Sequence, residues 1–203
     1  PEEEVIKIAV KSMGLDQLSP FSPEKKIIEY RVLKGKTITD LTVNKFIDEL
    51  SSSSPAPGGG SAASLCGAVS AALSSMVANL TFGKKGYEDK WPEMKQLSLD
   101  SQELKDYFLE DVHKDTEVFN QVMSAGNLPK KTDEEKNIRE TALEEATKEA
   151  TLIPVSILKY SLRALELAKK AAVEGNINSI SDAGVAALTA YAASEGAYYN
   201  IKI

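Results

Sequence analysis

The sequence predicts an all-α fold, a multi-helix bundle around a buried central helix of small residues. Three observations support this prediction. Residues 61–82 contain no charged side chain, the long segments that follow carry apolar residues at helical spacing, and one short strand-like run stands alone at 27–33. A helix without charge is stable in water when other helices cover it, so we expect residues 61–82 to be nearly inaccessible at the centre of the bundle.

The flanking helices are predicted from residues that begin or end helices. The predicted segments are 42–50, from Trp91 to about Met123, from Thr132 to Gly175, and from Ser181 to about Tyr199. Thr132 with Glu135 forms a capping box, and Ser181 is the expected cap of the last helix. Pro154 lies inside the third of these segments and is expected to kink it.

Residues 1–38 differ from the rest of the chain. A short amphipathic helix ends at Gly14, and the strand-like run 27–33 finds no partner within the helical remainder. Residues 34–36 read as a linker. We therefore predict two regions: residues 1–38 as the tail of a preceding domain plus a linker, and residues 39–203 as one helical domain.

Composition and charge exclude several classes of protein. The 203 residues are 42% hydrophobic and 27% charged, which are ordinary globular values. A net charge of -6 argues against sequence-independent binding to nucleic acid. The single cysteine, Cys66, has no partner for an internal disulfide. One cysteine and one histidine, His113, are too few ligands for a structural zinc site. With no signal peptide evident, we expect a cytoplasmic protein that binds neither membrane nor metal.

Asp115 is the most informative polar residue of the helices. It falls within the apolar stripe of the helix that begins at Trp91; the stripe comprises Leu104, Phe108, Val112, Phe119 and Val122. Burial there would raise the pKa of its carboxyl and suit it to proton transfer near neutral pH. The alternative is a structural acid at the edge of the stripe or in an ion pair with a lysine. His113 shares a face with Glu110 and Glu117, so a solvated surface histidine is expected.

The ends of the uncharged helix could bind anions. Gly58, Gly59, Gly60 and Ser61 lead into its N-terminus, where free N–H groups and the helix dipole favour carboxylate or phosphate. They match no nucleotide-binding fingerprint, and a tight structural turn explains them equally well. Lys84 and Lys85 at the other end, and Asp182 at the start of the last helix, also suit the dipole without any ligand.

Taken together, these segments resemble the formiminotransferase-cyclodeaminase family. The resemblance is to its cyclodeaminase domain, which is shared with methenyltetrahydrofolate cyclohydrolases. The matching pieces, in chain order, are 54–61 (SPAPGGGS), 81–85 (TFGKK), 115–119 (DTEVF), 127–130 (NLPK), 175–176 (GN), 181–182 (SD) and 196–203 (GAYYNIKI). The first region resembles the end of the formiminotransferase domain through 14–16, 20–24 and 27–30. Many relatives carry a second aspartate where this chain has His113.

The resemblance implies a reaction and a site. The reaction would convert 5-formiminotetrahydrofolate into 5,10-methenyltetrahydrofolate and ammonia, without metal or redox cofactor. Asp115 would be the acid, and the remaining residues would bind folate; these are Gly58, Gly59, Gly60, Ser61, Lys84, Lys85, Asp182 and Asn200. The two lysines would hold the glutamate tail of a polyglutamylated substrate.

The resemblance also implies partners, and three alternatives stay open. The expected partners are a second copy of the chain, in a homodimer or larger oligomer, and a formiminotransferase domain in the parent chain. The first alternative is a methenyltetrahydrofolate cyclohydrolase. The others are not folate enzymes: a phosphotransfer module in which His113 accepts the phosphoryl group, and an oligomerisation bundle without activity.

Overall fold

The computed structural model describes residues 2–16, 21, 26 and 37–202, which divide into two compact units, 1–41 and 42–203. The first unit contains the predicted amphipathic helix, α1 (Glu2–Ser12). The turn that follows it contains Gly14, whose φ of 64° is the left-handed conformation that glycine adopts without a steric penalty. The predicted strand at 27–33 lies outside the described residues, and the predicted boundary at residue 38 stays a prediction.

The second unit is a bundle of α-helices, which confirms the predicted fold class. Its helices are α2 (Val43–Leu50), α3 (Gly59–Thr81), α4 (Trp91–Gly126), α5 (Asp133–Glu174) and α6 (Ile180–Ile201). No β-strand is present in the part of the chain that the structure describes. Helix α3 packs against α4, α5 and α6, while α2 buries only Phe46.

Small residues let the neighbouring helices approach α3 closely. A Cβ atom added to Gly67 would lie 2.5–2.7 Å from ring atoms of Phe108 in α4. A Cβ atom added to Gly196 in α6 would lie 2.9 Å from the Cβ of Ala63. Both distances are shorter than carbon atoms tolerate, so larger residues at these positions would push the helices apart.

One expectation about α3 is wrong. We expected it to be nearly inaccessible, but one face is open in the single chain, where Val69, Met76 and Leu80 are 39%, 38% and 51% exposed. Helices α4, α5 and α6 pack against the rest of α3, and no other described helix of the second unit covers this face. Helix α3 is also long and apolar enough to cross a membrane, a test that a buried core helix passes as well.

The helix boundaries follow the predicted caps with two differences. Glu135 N–H donates to Thr132 Oγ1 (3.1 Å) and Thr132 N–H donates to Glu135 Oε2 (3.0 Å), which confirms the capping box of α5. Helix α5 then runs through Pro154 to Glu174. The first difference is that α4 continues to Gly126 and does not end near Met123. The second is that Ser179, not Ser181, is the N-cap of α6.

The earlier start of α6 has a local cause. The side chain of Asn176 accepts the N–H of Asn178 at 3.1 Å and starts a short 3-10 turn, Ile177–Ser179. This turn leads directly into α6, so Ser181 lies inside its first turn, where it cannot act as the cap.

Candidate functional site

Asp115 on α4 contacts the first turn of α3. Its Oδ2 accepts a hydrogen bond of 2.7 Å from the hydroxyl of Ser61, which is fully buried. A Cβ atom added to Gly60 would collide with the Asp115 carboxyl, so only glycine leaves room for the acid there. The predicted anion-binding N-terminus of α3 therefore already faces a carboxyl group of the chain itself.

Burial and hydrogen bonding act on Asp115 in opposite directions. Burial raises the pKa of its carboxyl, because a charged group is less stable away from water. The hydroxyl and the main-chain N–H of Ser61 favour the ionised form of the carboxyl and lower its pKa. Burial has the larger effect, so the net pKa is above the ordinary value. Within the described residues, no lysine, arginine or histidine forms an ion pair with Asp115. The carboxyl is thus suited to donate a proton.

A cavity of about 280 Å³ opens beside Asp115, between α4, α5 and α6. Its lining is mostly apolar and consists of Asp115, Val118, Phe119, Val122, Thr147, Ala150, Thr151, Pro154 and Asn200. Pro154 has no N–H to bond the carbonyl of Ala150, so that oxygen loses its usual helical donor at the cavity wall. A mostly apolar cavity with a few polar groups is typical of sites that bind small organic molecules.

Sequence reasoning missed the α5 side of this cavity. Nothing in the spacing of Thr147 or Thr151 indicates contact with α4, since that contact depends on how the two helices pack. The proline inside α5 was the available signal, because a proline within a helix leaves the carbonyl four residues earlier without its usual donor.

Asn200 lies with Asp115 at the same end of the bundle. It lines the cavity, and its side chain comes within 3.5 Å of the position that a Cβ of Gly59 would occupy. Its Nδ2 donates to the carbonyl of Gly196 at 2.8 Å. Among the predicted site residues, Gly58, Gly59, Gly60, Ser61, Asp115 and Asn200 therefore form one group.

Lys84, Lys85 and Asp182 lie at the opposite end of α3. The 23 residues of this helix span roughly 33 Å at 1.5 Å per residue. Lys84 Nζ donates to Asn176 Oδ1 at 2.7 Å, which ties the end of α3 to the connection between α5 and α6. Asp182 lies in the first turn of α6, beyond that connection. Within one chain, these three residues are too far away to share a small ligand with Asp115.

His113 and Asp111 occupy neighbouring positions on α4. His113 Nε2 lies 3.2 Å from Glu117 Oε1, a partner on the face predicted from the sequence, and the histidine is half-buried. Asp111 is 2% exposed and was missed. It follows Leu104 by seven residues and Phe108 by three, so the pattern that singled out Asp115 also contains Asp111.

Fold and site together define an all-helical domain in which a partly buried acid borders an apolar cavity. Residues 42–203 match the family model described as formiminotransferase-cyclodeaminase, and residues 1–33 match that of the formiminotransferase domain. The chain belongs to the formiminotransferase-cyclodeaminase family.

Named relatives carry two different activities in their names. The chain is 44% identical to a methenyltetrahydrofolate cyclohydrolase of Methylorubrum extorquens over 80% of this chain and 78% of that protein. It is 33% identical to the formimidoyltransferase-cyclodeaminase of Rattus norvegicus over 100% of this chain, but spans only 38% of that protein.

A solved structure supports the same fold. The crystal structure of a formiminotetrahydrofolate cyclodeaminase from Thermotoga maritima superposes with a TM-score of 0.70. The two chains are 33% identical, and the match covers 80% of this chain and 77% of the other.

Proposed function

We propose that the chain is a formiminotetrahydrofolate cyclodeaminase, an ammonia-lyase that converts 5-formiminotetrahydrofolate into 5,10-methenyltetrahydrofolate and ammonia. The observation that carries the proposal is the hydrogen bond of Ser61 to Asp115 beside the apolar cavity. The names of the rat and Thermotoga maritima relatives support the choice of reaction. The reaction transfers no electrons between substrates, so we propose no redox cofactor. We propose no metal either, because the proton transfer is assigned to Asp115.

In the proposed mechanism, Asp115 is the general acid. N10 of the folate attacks the formimino carbon and forms a new carbon–nitrogen bond, while the proton of N10 passes to the imino nitrogen, which becomes the amino group of the tetrahedral intermediate. The amino group of the tetrahedral intermediate takes a proton from the Asp115 carboxyl and leaves as ammonia with the electrons of the broken bond. The resulting carboxylate lies close to the positive charge of the methenyl product and stabilises it, while the Ser61 hydroxyl keeps the carboxylate oriented.

A second candidate is methenyltetrahydrofolate cyclohydrolase. The 44% identity with the Methylorubrum extorquens enzyme favours it. In this reaction a water molecule adds to the methenyl carbon and Asp115 accepts one of its protons. The bond between that carbon and N5 then breaks, and the remaining hydroxyl proton passes to N5, which gives the 10-formyl product. The same cavity and the same carboxyl would serve both reactions.

Two assays on the purified full chain test the choice. The first follows ammonia release and methenyl absorbance from 5-formiminotetrahydrofolate; the second follows the loss of methenyl absorbance when 5,10-methenyltetrahydrofolate is the substrate. We expect the first reaction to be the faster. Activity in the second assay alone would replace the proposal by the cyclohydrolase, and no activity in either would end both.

We also propose that the protein is a homodimer, in which a second copy covers the open face of α3. That face, which contains Val69, Met76 and Leu80, is apolar and uncharged. In a two-fold dimer with antiparallel α3 helices, Lys84 and Lys85 of one copy would approach Ser61 of the other. This arrangement would bring a basic group to the acid and could hold the glutamate tail of the folate.

We propose that the reaction takes place in the cytoplasm.

A further inference from the structure

Two acids lie one helical turn apart on the same face of α4. Asp111 and Asp115 are four residues apart, a spacing at which Cβ atoms in a helix are about 5–6 Å from each other. Asp111 is 2% exposed, and Asp115 is partly buried. The mechanism above uses only the second of them.

Each carboxyl is held by a different helix. Asp111 Oδ2 accepts a hydrogen bond of 3.2 Å from Ser156 on α5, and the Ser156 hydroxyl lies 2.8 Å from Tyr107 OH. Asp115 Oδ2 is bonded instead by Ser61 on α3. The two acids therefore stay on the same face of α4 without sharing a hydrogen-bond donor.

Charge compensation at this pair is incomplete. Lys114, the nearest cation on α4, forms its ion pair with Glu110 at 2.8 Å. Among the described residues, neither Asp111 nor Asp115 has an ion pair of its own. Two neighbouring carboxylates without a counter-ion repel each other, so the second proton leaves with more difficulty than the first.

The surroundings of Asp111 raise the pKa of its carboxyl. Burial raises the pKa of its carboxyl to about 6, the hydrogen bond from Ser156 and the charge of Lys114 oppose the rise, and the charges of Glu110 and Asp115 add to it. Tyr107 on α4, which interacts with Asp111 and with Tyr160 on α5, is a further titratable group at this site, and burial raises its pKa. His113 and Glu117 form their own pair on the same helix.

We propose that Asp111 and Asp115 form a coupled carboxyl pair in which Asp111 is a positioning residue that retains the last proton of the pair. While one proton remains, it is distributed between the two carboxyls, and a fraction of the molecules carries it on Asp115. The pair thereby keeps Asp115 able to donate up to a higher pH than an isolated acid in the same place. This inference rests on the proposed role of Asp115, but the coupling is measurable without substrate.

The test is a carbon-13 NMR titration of the aspartate carboxyls in the full chain. We expect two steps for the pair in the wild type, with the upper one near pH 6. Asp111→Asn removes the upper step. Asp115→Asn moves the step of Asp111 down by about 0.5–2 pH units, from Coulomb's law at about 6 Å and a dielectric constant between 80 and 20. Asp106→Asn, a change to an exposed acid on the same helix, leaves both steps in place.

An Asp111 step that stays at the same pH in Asp115→Asn overturns the proposal. Ser156→Ala serves as a second variant in case Asp111→Asn does not fold. Loss of the hydrogen bond from Ser156 should move the titration of Asp111 to higher pH, and the NMR signal of the Asp115 carboxyl should keep its assignment. In activity assays, the limb on which the rate falls with rising pH should move to lower pH in Asp111→Asn. If the NMR coupling is found but Asp115→Asn remains active, the pair stands and the proposed acid role fails.

Discussion

The hydroxyl of Ser61 and the carboxyl of Asp115 are joined by a 2.7 Å hydrogen bond across the interface of α3 and α4. The two residues are 54 positions apart in the chain. Because Ser61 belongs to the first turn of α3, the start of that helix fixes the position of the acid, and the neighbouring Gly60 provides the space it occupies. The first two predictions follow from this contact.

Replacement of Asp115 by asparagine should abolish turnover and leave the fold intact. Asparagine keeps the size of the side chain but has no proton to transfer, and loss of general acid catalysis costs about 10²–10⁴-fold in rate. Steady-state kinetics and thermal unfolding measure the two effects. His113→Gln is the matched control on the same helix and should change neither. If Asp115→Asn keeps more than about a tenth of the wild-type rate, another acid acts, since such a loss falls short of that range.

Replacement of Gly60 by alanine should reduce both activity and stability. The added methyl group meets the Asp115 carboxyl, and overpacking of this kind costs about 1–3 kcal/mol. Gly184→Ala is the control, because a Cβ there meets nothing within 4 Å and the helix should gain about 0.5–1 kcal/mol. Denaturant unfolding measures both changes. Equal stability changes in the two variants would contradict the described contact.

Replacement of Asp111 by asparagine should alter how stability depends on pH. Because the pKa of Asp111 in the folded chain is raised from 3.8 to about 6, folding favours its protonated form. That contribution is complete below pH 3.8 and is lost as the pH rises to about 6. The free energy of unfolding of Asp111→Asn, relative to wild type, should therefore rise by up to about 3 kcal/mol as the pH increases from 3.8 to about 6. Unfolding measured at several pH values tests it, and a difference that is constant with pH would refute it.

Replacement of Met76 by glutamate should convert the proposed dimer into monomers. A charge buried at the centre of an apolar interface is strongly unfavourable unless it is paired. Sedimentation velocity at micromolar concentration measures the change. Ile138→Glu is the control, since Ile138 is equally apolar, is 56% exposed and lies on α5 away from the open face of α3. A wild-type chain that sediments as a monomer would contradict the proposed dimer.

Mixing two variants that are each defective with a polyglutamylated substrate should restore activity if the site draws on two copies. Asp115→Asn lacks the acid and Lys85→Gln lacks one proposed tail-binding cation. A mixed dimer would contain one complete site and one doubly defective site, so random exchange should return about a quarter of the wild-type activity. Kinetics with a polyglutamylated substrate after subunit exchange measures this. Activity that does not rise above that of the separate variants would show that Lys85 of one copy does not serve the site of the other.

The sequence was informative wherever a short-range pattern determines the structure. The capping box at Thr132 and the apolar stripe that contains Asp115 are local patterns, and the structure has the helix start and the partial burial that they indicate. The contact of α5 with the cavity and the open face of α3 depend on helices packing from distant parts of the chain. Ser181 was misassigned because the Asn176 turn that precedes α6 competes with it as the start of the helix.

The far end of α3 bears on how the protein folds. Lys84 and Thr81 contact Asn176, to which they are connected through 92 and 95 residues of chain. Contacts between such distant positions require a long loop to close, which favours their formation after the local helices are in place. We expect this junction to form late, so its loss would accelerate unfolding and leave the rate of folding almost unchanged. The chain would then be held in its native state kinetically from the end of the bundle opposite Asp115.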